Sequence, residues 1–165
     1  MNETMTHMPS TVLTGVSIRT SNLRESGPEA QIPLLWERYF AGGLQQQPGL
    51  KNPHVLYALY TDYESDVNGD YTLLLGHEVE PRLAGETSLN TAATATTPDA
   101  AYIKFTSKRG PVQRVVPELW QDIWAYFQNS DAERAYTGDF ERYDLRGFDP
   151  ADAVVDIFVA VKEKH

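Results

Sequence analysis

The chain has 165 residues, of which 41% are hydrophobic, 11% aromatic and 22% charged, enough for one well-filled soluble domain. The formal net charge is −9, which argues against nucleic acid as a partner, because phosphate binding needs clustered Lys and Arg. There is no cysteine, so disulfides, cysteine nucleophiles and thiolate metal sites are excluded.

The four histidines, His7, His54, His77 and His165, are scattered without metal-ligand spacing, and neither a metal nor a cofactor is expected. Residues 1–10 carry neither a basic nor an apolar targeting region and read as a flexible tail. No apolar run approaches the roughly 20 residues of a membrane helix. The expected location is the cytoplasm, with no membrane contact.

In chain order, Val12, Val16 and Ile18 recur at period two and predict a strand. Ser21 to Gln31 reads as a polar loop. Ile32, Leu35, Trp36, Tyr39 and Phe40 have helical spacing, with Pro33 in the first turn and Gly42-Gly43 at the end. Val55 to Tyr60 and Tyr71 to Val79 predict two strands joined by an Asn68-Gly69 turn. Residues 81–100, rich in Thr, Ala, Pro and Gly, read as a linker.

Ala101 to Thr106 predicts a strand. Val116, Leu119, Trp120, Ile123, Trp124 and Phe127 predict a second helix with Pro117 at its start. Asn129 to Gly138 reads as a loop. Phe140 to Leu145 and Val154 to Lys162 predict the last strands.

The order strand, helix, strand, strand thus occurs twice. Ile32-Pro33-Leu34-Leu35-Trp36 matches Val116-Pro117-Glu118-Leu119-Trp120. At nearly the same offset, Tyr57-Ala58-Leu59-Tyr60 matches Phe140-Glu141-Arg142-Tyr143. These matches predict an α+β fold: a duplicated strand–helix–strand–strand module with an antiparallel sheet, two main helices, a pseudo-two-fold axis and a ligand cleft between the halves. The repeats are about 11–80 and 101–163, in a single domain spanning 11–163.

The halves differ at one telling position. Ala58 in the first is Glu141 in the second, on the same strand face as Tyr143. A strand glutamate is ordinarily solvent-facing, and that reading is favoured on position alone, because Glu is seldom buried. The alternative is a buried carboxylate in an aromatic pocket, which would attract an organic cation. Candidate walls are Trp36, Tyr39, Tyr60, Tyr71, Phe105, Trp120 and Trp124, each of which could equally be plain core.

The series Ile32-Pro33-x-Leu35-Trp36, Tyr57-x-x-Tyr60-x-x-Tyr63-Glu64-Ser65-Asp66, Tyr71-Thr72, Trp120-x-x-Ile123-Trp124, Phe140-Glu141-x-Tyr143-Asp144 and Asp156-Ile157-x-Val159-x-Val161-Lys162 resembles the GyrI-like effector-binding domains. Within them it is most similar to the integron-associated branch, related to the ligand domains of BmrR- and Rob-type regulators.

The resemblance implies a ligand-binding module for hydrophobic, often cationic compounds, with a pocket glutamate that maps onto Glu141 and an adjoining aromatic at Tyr143. It implies no catalytic residue. A cationic or amphipathic small molecule is the expected partner, with a separate transcription regulator as a further candidate, because the chain shows no DNA-binding segment and reads as stand-alone. Two other readings stay open: a hydrolase of reactive small molecules using the same glutamate, and a protein-interaction module.

Overall fold

A computed structural model describes residues 5–43, 46, 49–65, 69–80 and 93–162. Among these residues eight strands form one antiparallel sheet. They are β1 (Met5–Met8), β2 (Val12–Ser21), β3 (Val55–Thr61), β4 (Asp70–Glu78), β5 (Ala93–Thr96), β6 (Ala100–Thr106), β7 (Arg134–Asp144) and β8 (Asp156–Val161). The helices are α1 (Asn22–Glu25), α2 (Ile32–Ala41) and α3 (Val112–Asn129). The spatial order is β1-β6-β8-β7-β3-β4-β2-β5.

The two modules are β2-α2-β3-β4 and β6-α3-β7-β8. Each contributes three adjacent strands, and they meet at β3 and β7. There Ala58 pairs directly with Glu141, flanked by Tyr57↔Arg142 and Leu59↔Phe140. The repeat equates Ala58 with Glu141, so the pseudo-two-fold axis passes through this pair. The sequence asymmetry therefore falls on the axis itself.

Several expectations are corrected. Residues 5–8 of the expected tail form β1, paired with β6, and residues 93–96 of the expected linker form β5, paired with β2. Each edge strand thus joins the opposite module. The two pairings share one register, Met8↔Ala100 and Val12↔Thr96, bridged where Thr97 N–H donates to Thr11 O at 2.9 Å. The Ala-Thr-Ala-Thr alternation of β5 already carries the strand period: its alanines are half-buried and its threonines exposed. The expected Asn68-Gly69 turn and residues 81–92 of the linker lie wholly or partly outside the described residues.

The Ser21–Gln31 segment contains a helical turn, α1, whose Ser21 hydroxyl accepts from Arg24 N–H. Its Glu25 carboxylate accepts from Gln31 N–H at 3.0 Å and Ile32 N–H at 2.9 Å. These are orphan donors at the start of α2, which has no cap of its own. Helix α3 starts at Val112, capped by Pro111, so Pro117 lies inside it and removes one helical hydrogen bond. The expected Asn129–Gly138 loop already contains the start of β7. A register shift between Arg134 and Asp139 bends this strand away from β8 and hides it from simple alternation.

Side-chain alternation sorts the core onto both sheet faces. On the helix side, Leu56, Tyr71 and Tyr143 of the sheet cluster with Leu35 and Tyr39 of α2, and Phe105 and Val159 with Leu119 and Ile123 of α3. On the other side Leu13, Leu59, Leu74, Tyr102, Phe140 and Phe158 form a third cluster. Helix α2 packs on β2 and β4, and α3 on β6, so the central β3–β7 pair lies beneath the seam between them. Among the described residues no helix is long and apolar enough to cross a membrane.

Candidate functional site

At the centre of the seam, Glu141 is 2% exposed. The solvent-facing reading is therefore corrected: β7 is a central strand, and residues 139, 141 and 143 point to the helix side. Oε2 of Glu141 accepts from the Tyr60 hydroxyl at 2.7 Å and from Trp120 Nε1–H at 2.8 Å. Oε1 accepts from the Tyr143 hydroxyl at 2.5 Å. Among the described residues no Lys, Arg or His forms a salt bridge with it.

Its partners are thus three neutral donors. Burial raises the Glu141 pKa, and the hydrogen bonds from Trp120, Tyr143 and Tyr60 offset only part of that rise. Burial and the neighbouring carboxylate also hold the Tyr60 and Tyr143 pKa values well above their usual range, so both hydroxyls keep their protons and donate.

Each cage member comes from a different element. Tyr60 is on β3, Tyr143 on β7 and Trp120 on α3. The rings of Tyr60 and Trp120 meet edge to face at 5.4 Å. Trp36 on α2 covers Tyr143 at 5.3 Å, and Tyr71 on β4 backs Tyr60 at 5.5 Å. Opposite Glu141 stands Ala58, buried and with the smallest side chain on this stretch of β3.

Three other sequence candidates lie apart from the carboxylate. Tyr39 donates to His77 Nε2 at 2.6 Å, which fastens α2 to β4. Phe105 packs against Tyr126 and Phe127 in the core beneath α3. Trp124 is half-buried one turn beyond Trp120 and is not among the rings that meet Glu141.

Sequence reasoning missed a second constellation on the same strand face. Asp139 is fully buried. Its Oδ1 accepts from the Ala160 N–H that the register shift leaves free, at 2.8 Å, and its Oδ2 accepts from Arg134 Nη2 at 2.7 Å and from the Tyr63 hydroxyl. The usable signal was the alternation Asp139-Phe140-Glu141, which sets both carboxylates on one face. Arg134 gave none, because only the register shift brings it back to Asp139.

The comparisons with known proteins agree with this architecture. The family model described as "Integron-associated effector binding protein" matches residues 4–161. The chain is 34% identical over 163 residues to "Putative transcriptional regulator protein YobU" of Bacillus subtilis, covering 96% of this chain and 97% of that one. It is similar to the crystal structure of an integron cassette protein from the mobile metagenome of Vibrio cholerae, with a TM-score of 0.76 and 30% identity, covering 97% and 95% of the two chains. The structure of SAV2435 bound to tetraphenylphosphonium shares the fold, with a TM-score of 0.75 at 18% identity over 98% and 94%. The chain belongs to the integron-associated effector-binding family of GyrI-like domains and is a small-molecule-binding protein rather than an enzyme.

Proposed function

We propose that the protein binds hydrophobic organic cations, with Glu141 as the charge partner, Tyr60, Tyr143 and Trp120 as the cage, and Trp36 and Tyr71 as flanking walls. The observation that carries this reading is a buried carboxylate held by three neutral donors and, among the described residues, by no cation. Asp139, two residues away on the same face, shows the contrast, because it already has Arg134. An isolated buried charge is costly, and a cation brought against it relieves that cost. Aromatic faces add cation–π attraction to the same ligand.

The carboxylate is nearly sealed, so binding requires the rings in the α2–α3 seam to turn aside. The tyrosine hydroxyls and the indole N–H that now satisfy Glu141 are then exchanged for the ligand's charge. Charge gives the preference for cations, while the apolar rings impose little shape selection. That SAV2435, of the same fold, is described as bound to tetraphenylphosphonium supports this ligand class. The name of YobU as a transcriptional regulator supports a sensing role tied to transcription.

The test is a tryptophan-fluorescence titration with tetraphenylphosphonium and with neutral triphenylphosphine oxide. Saturable quenching by the cation is expected. Glu141→Gln should weaken the cation at least tenfold, about 1.4 kcal/mol, and leave the neutral compound within twofold. Equal losses for both compounds would remove charge pairing from the mechanism.

A further inference from the structure

Arg134 opens β7 just before the register shift and is only 8% exposed. Its guanidinium carbon lies 4.6 Å from the Tyr136 ring centre and 5.8 Å from that of Trp120. Its Nη2 donates to Asp139, whose same oxygen also accepts from Tyr63. The Tyr63 ring meets Tyr136 edge-on at 5.8 Å. A planar organic cation is thus held by a buried carboxylate and aromatic faces. These are the parts of the Glu141 cage, here with an occupant. Trp120 serves both, offering its N–H to Glu141 and its face to Arg134.

The hold on this occupant is incomplete. Arg134 Nε is buried without an acceptor among the described residues. Tyr136 has φ +54°, a left-handed conformation uncommon for a bulky residue. Arg134 and Tyr136 also border an open depression of about 820 Å³, walled further by Ser65, Phe127 and Lys162, with room for a withdrawn side chain.

We propose that Asp139, Tyr63, Tyr136 and Trp120 form a second organic-cation site, filled by the chain's own Arg134, and that ligands with two cationic centres use it by displacing Arg134 into the depression. Exchanging one cation for another keeps Asp139 paired, so no buried charge is left alone. Arg134 is tethered, so a free monocation competes with a high effective concentration and loses. A ligand already anchored at Glu141 competes on the same intramolecular terms. Asp139 and Glu141 are two residues apart on one strand face, which sets the preferred charge separation at about 7 Å. The anchor at Glu141 rests on the function proposed above.

The test compares benzamidine with benzene-1,4-dicarboxamidine by calorimetric titration of the full chain. The wild type should bind the diamidine at least tenfold tighter than the monoamidine, each at one equivalent. R134A, with Asp139 unpaired, should take up two equivalents of benzamidine. R134A/D139N, which removes both buried charges and so tolerates folding better, should bind one equivalent and lose the diamidine advantage. Where the wild type binds one equivalent of benzamidine, equal affinities for the two ligands there, or still a single equivalent in R134A, overturn the second site. Benzamidine bound by R134A but not by the wild type would keep the second site and remove the Glu141 reading. One equivalent in the wild type, lost in E141Q and with no diamidine advantage, would do the reverse.

Discussion

Ala58 and Glu141 face each other across the central strand pair, and the repeat makes them counterparts of one another. A residue on a two-fold axis meets its own copy. Identical glutamates there would set two carboxylates at cross-strand distance, with Cβ atoms about 5 Å apart, where like charges raise one pKa sharply. Replacing one by alanine leaves a single charge. Duplication followed by divergence at this one pair is thus enough to turn a symmetric sheet into an asymmetric site.

The small side chain of Ala58 leads to the first prediction. Ala58→Leu should fill the region opposite Glu141 and press on the Tyr60 and Tyr143 hydroxyls. Overpacking of this kind costs about 1–3 kcal/mol, a loss visible in urea denaturation. Cation binding measured on the folded variant should fall at least tenfold, while Ala58→Gly should leave it within about threefold. Undiminished binding by Ala58→Leu would place the ligand elsewhere.

Glu141 also makes stability depend on pH with a definite sign. Its folded pKa lies above its ordinary value of 4.5, so the folded state holds the proton over a range where the unfolded chain has released it. Its contribution is fully present below 4.5 and is lost as pH rises through the folded pKa. The stability difference between the wild type and Glu141→Gln should therefore shift against the wild type as pH increases from 4.5, and level off once Glu141 is ionised. On the proposed function, cation binding should have the opposite dependence. It should strengthen over the same interval and release a proton, which calorimetry in buffers of different ionisation enthalpy would detect.

Much of this was legible in the sequence, and the reasons differ by residue. Period-two and helical spacing located β2, β3, α2 and the body of α3, because each buries one clear face. The repeat located the axis and singled out Glu141 by its difference from Ala58. Propensity pointed the wrong way on Glu141's burial, since an average over strands cannot register that β7 is central. The strands β1 and β5 escaped notice because each is short and gains its stability from pairing with the opposite module, a non-local fact. Arg134 escaped because its pairing with Asp139 depends on a register shift that no periodicity encodes.

A second stability prediction concerns the place where β2 crosses β4. Gly15 pairs with Gly76, and a Cβ on Gly15 would stand 2.0 Å from Leu75 O, or on Gly76 2.3 Å from Thr14 O. Both obstructions are backbone, which cannot give way without parting the strands. Gly15→Ala or Gly76→Ala should each cost more than about 2 kcal/mol, at the upper end of single-site effects. Gly27→Ala, with only Arg24 O at 3.8 Å, should be tolerated in the same thermal-melt assay.

The last prediction concerns what holds α2, and with it Trp36, over the cage. His77 Nδ1 lies 2.8 Å from Val55 O, a pure acceptor, so that nitrogen carries the proton and Nε2 accepts from Tyr39. Burial lowers the His77 pKa below its usual 6.5, despite the backbone hydrogen bond that favours protonation. The unfolded chain therefore binds a proton first as pH falls below 6.5, and the stability supplied by neutral His77 is lost as pH drops through the folded pKa. Protonation also turns Nε2 into a donor facing the Tyr39 hydroxyl, so the proton on that hydroxyl must find another acceptor. Tyr39→Phe leaves Nε2 unsatisfied and should cost about 1–3 kcal/mol at pH 7. The loss should be local: α2 amides such as Leu35 should exchange faster on acidification from pH 7 to 5, while those of α3 around Ile123 change less. Equal acceleration in both helices would mean that the Tyr39–His77 contact carries no special share of the hold on α2.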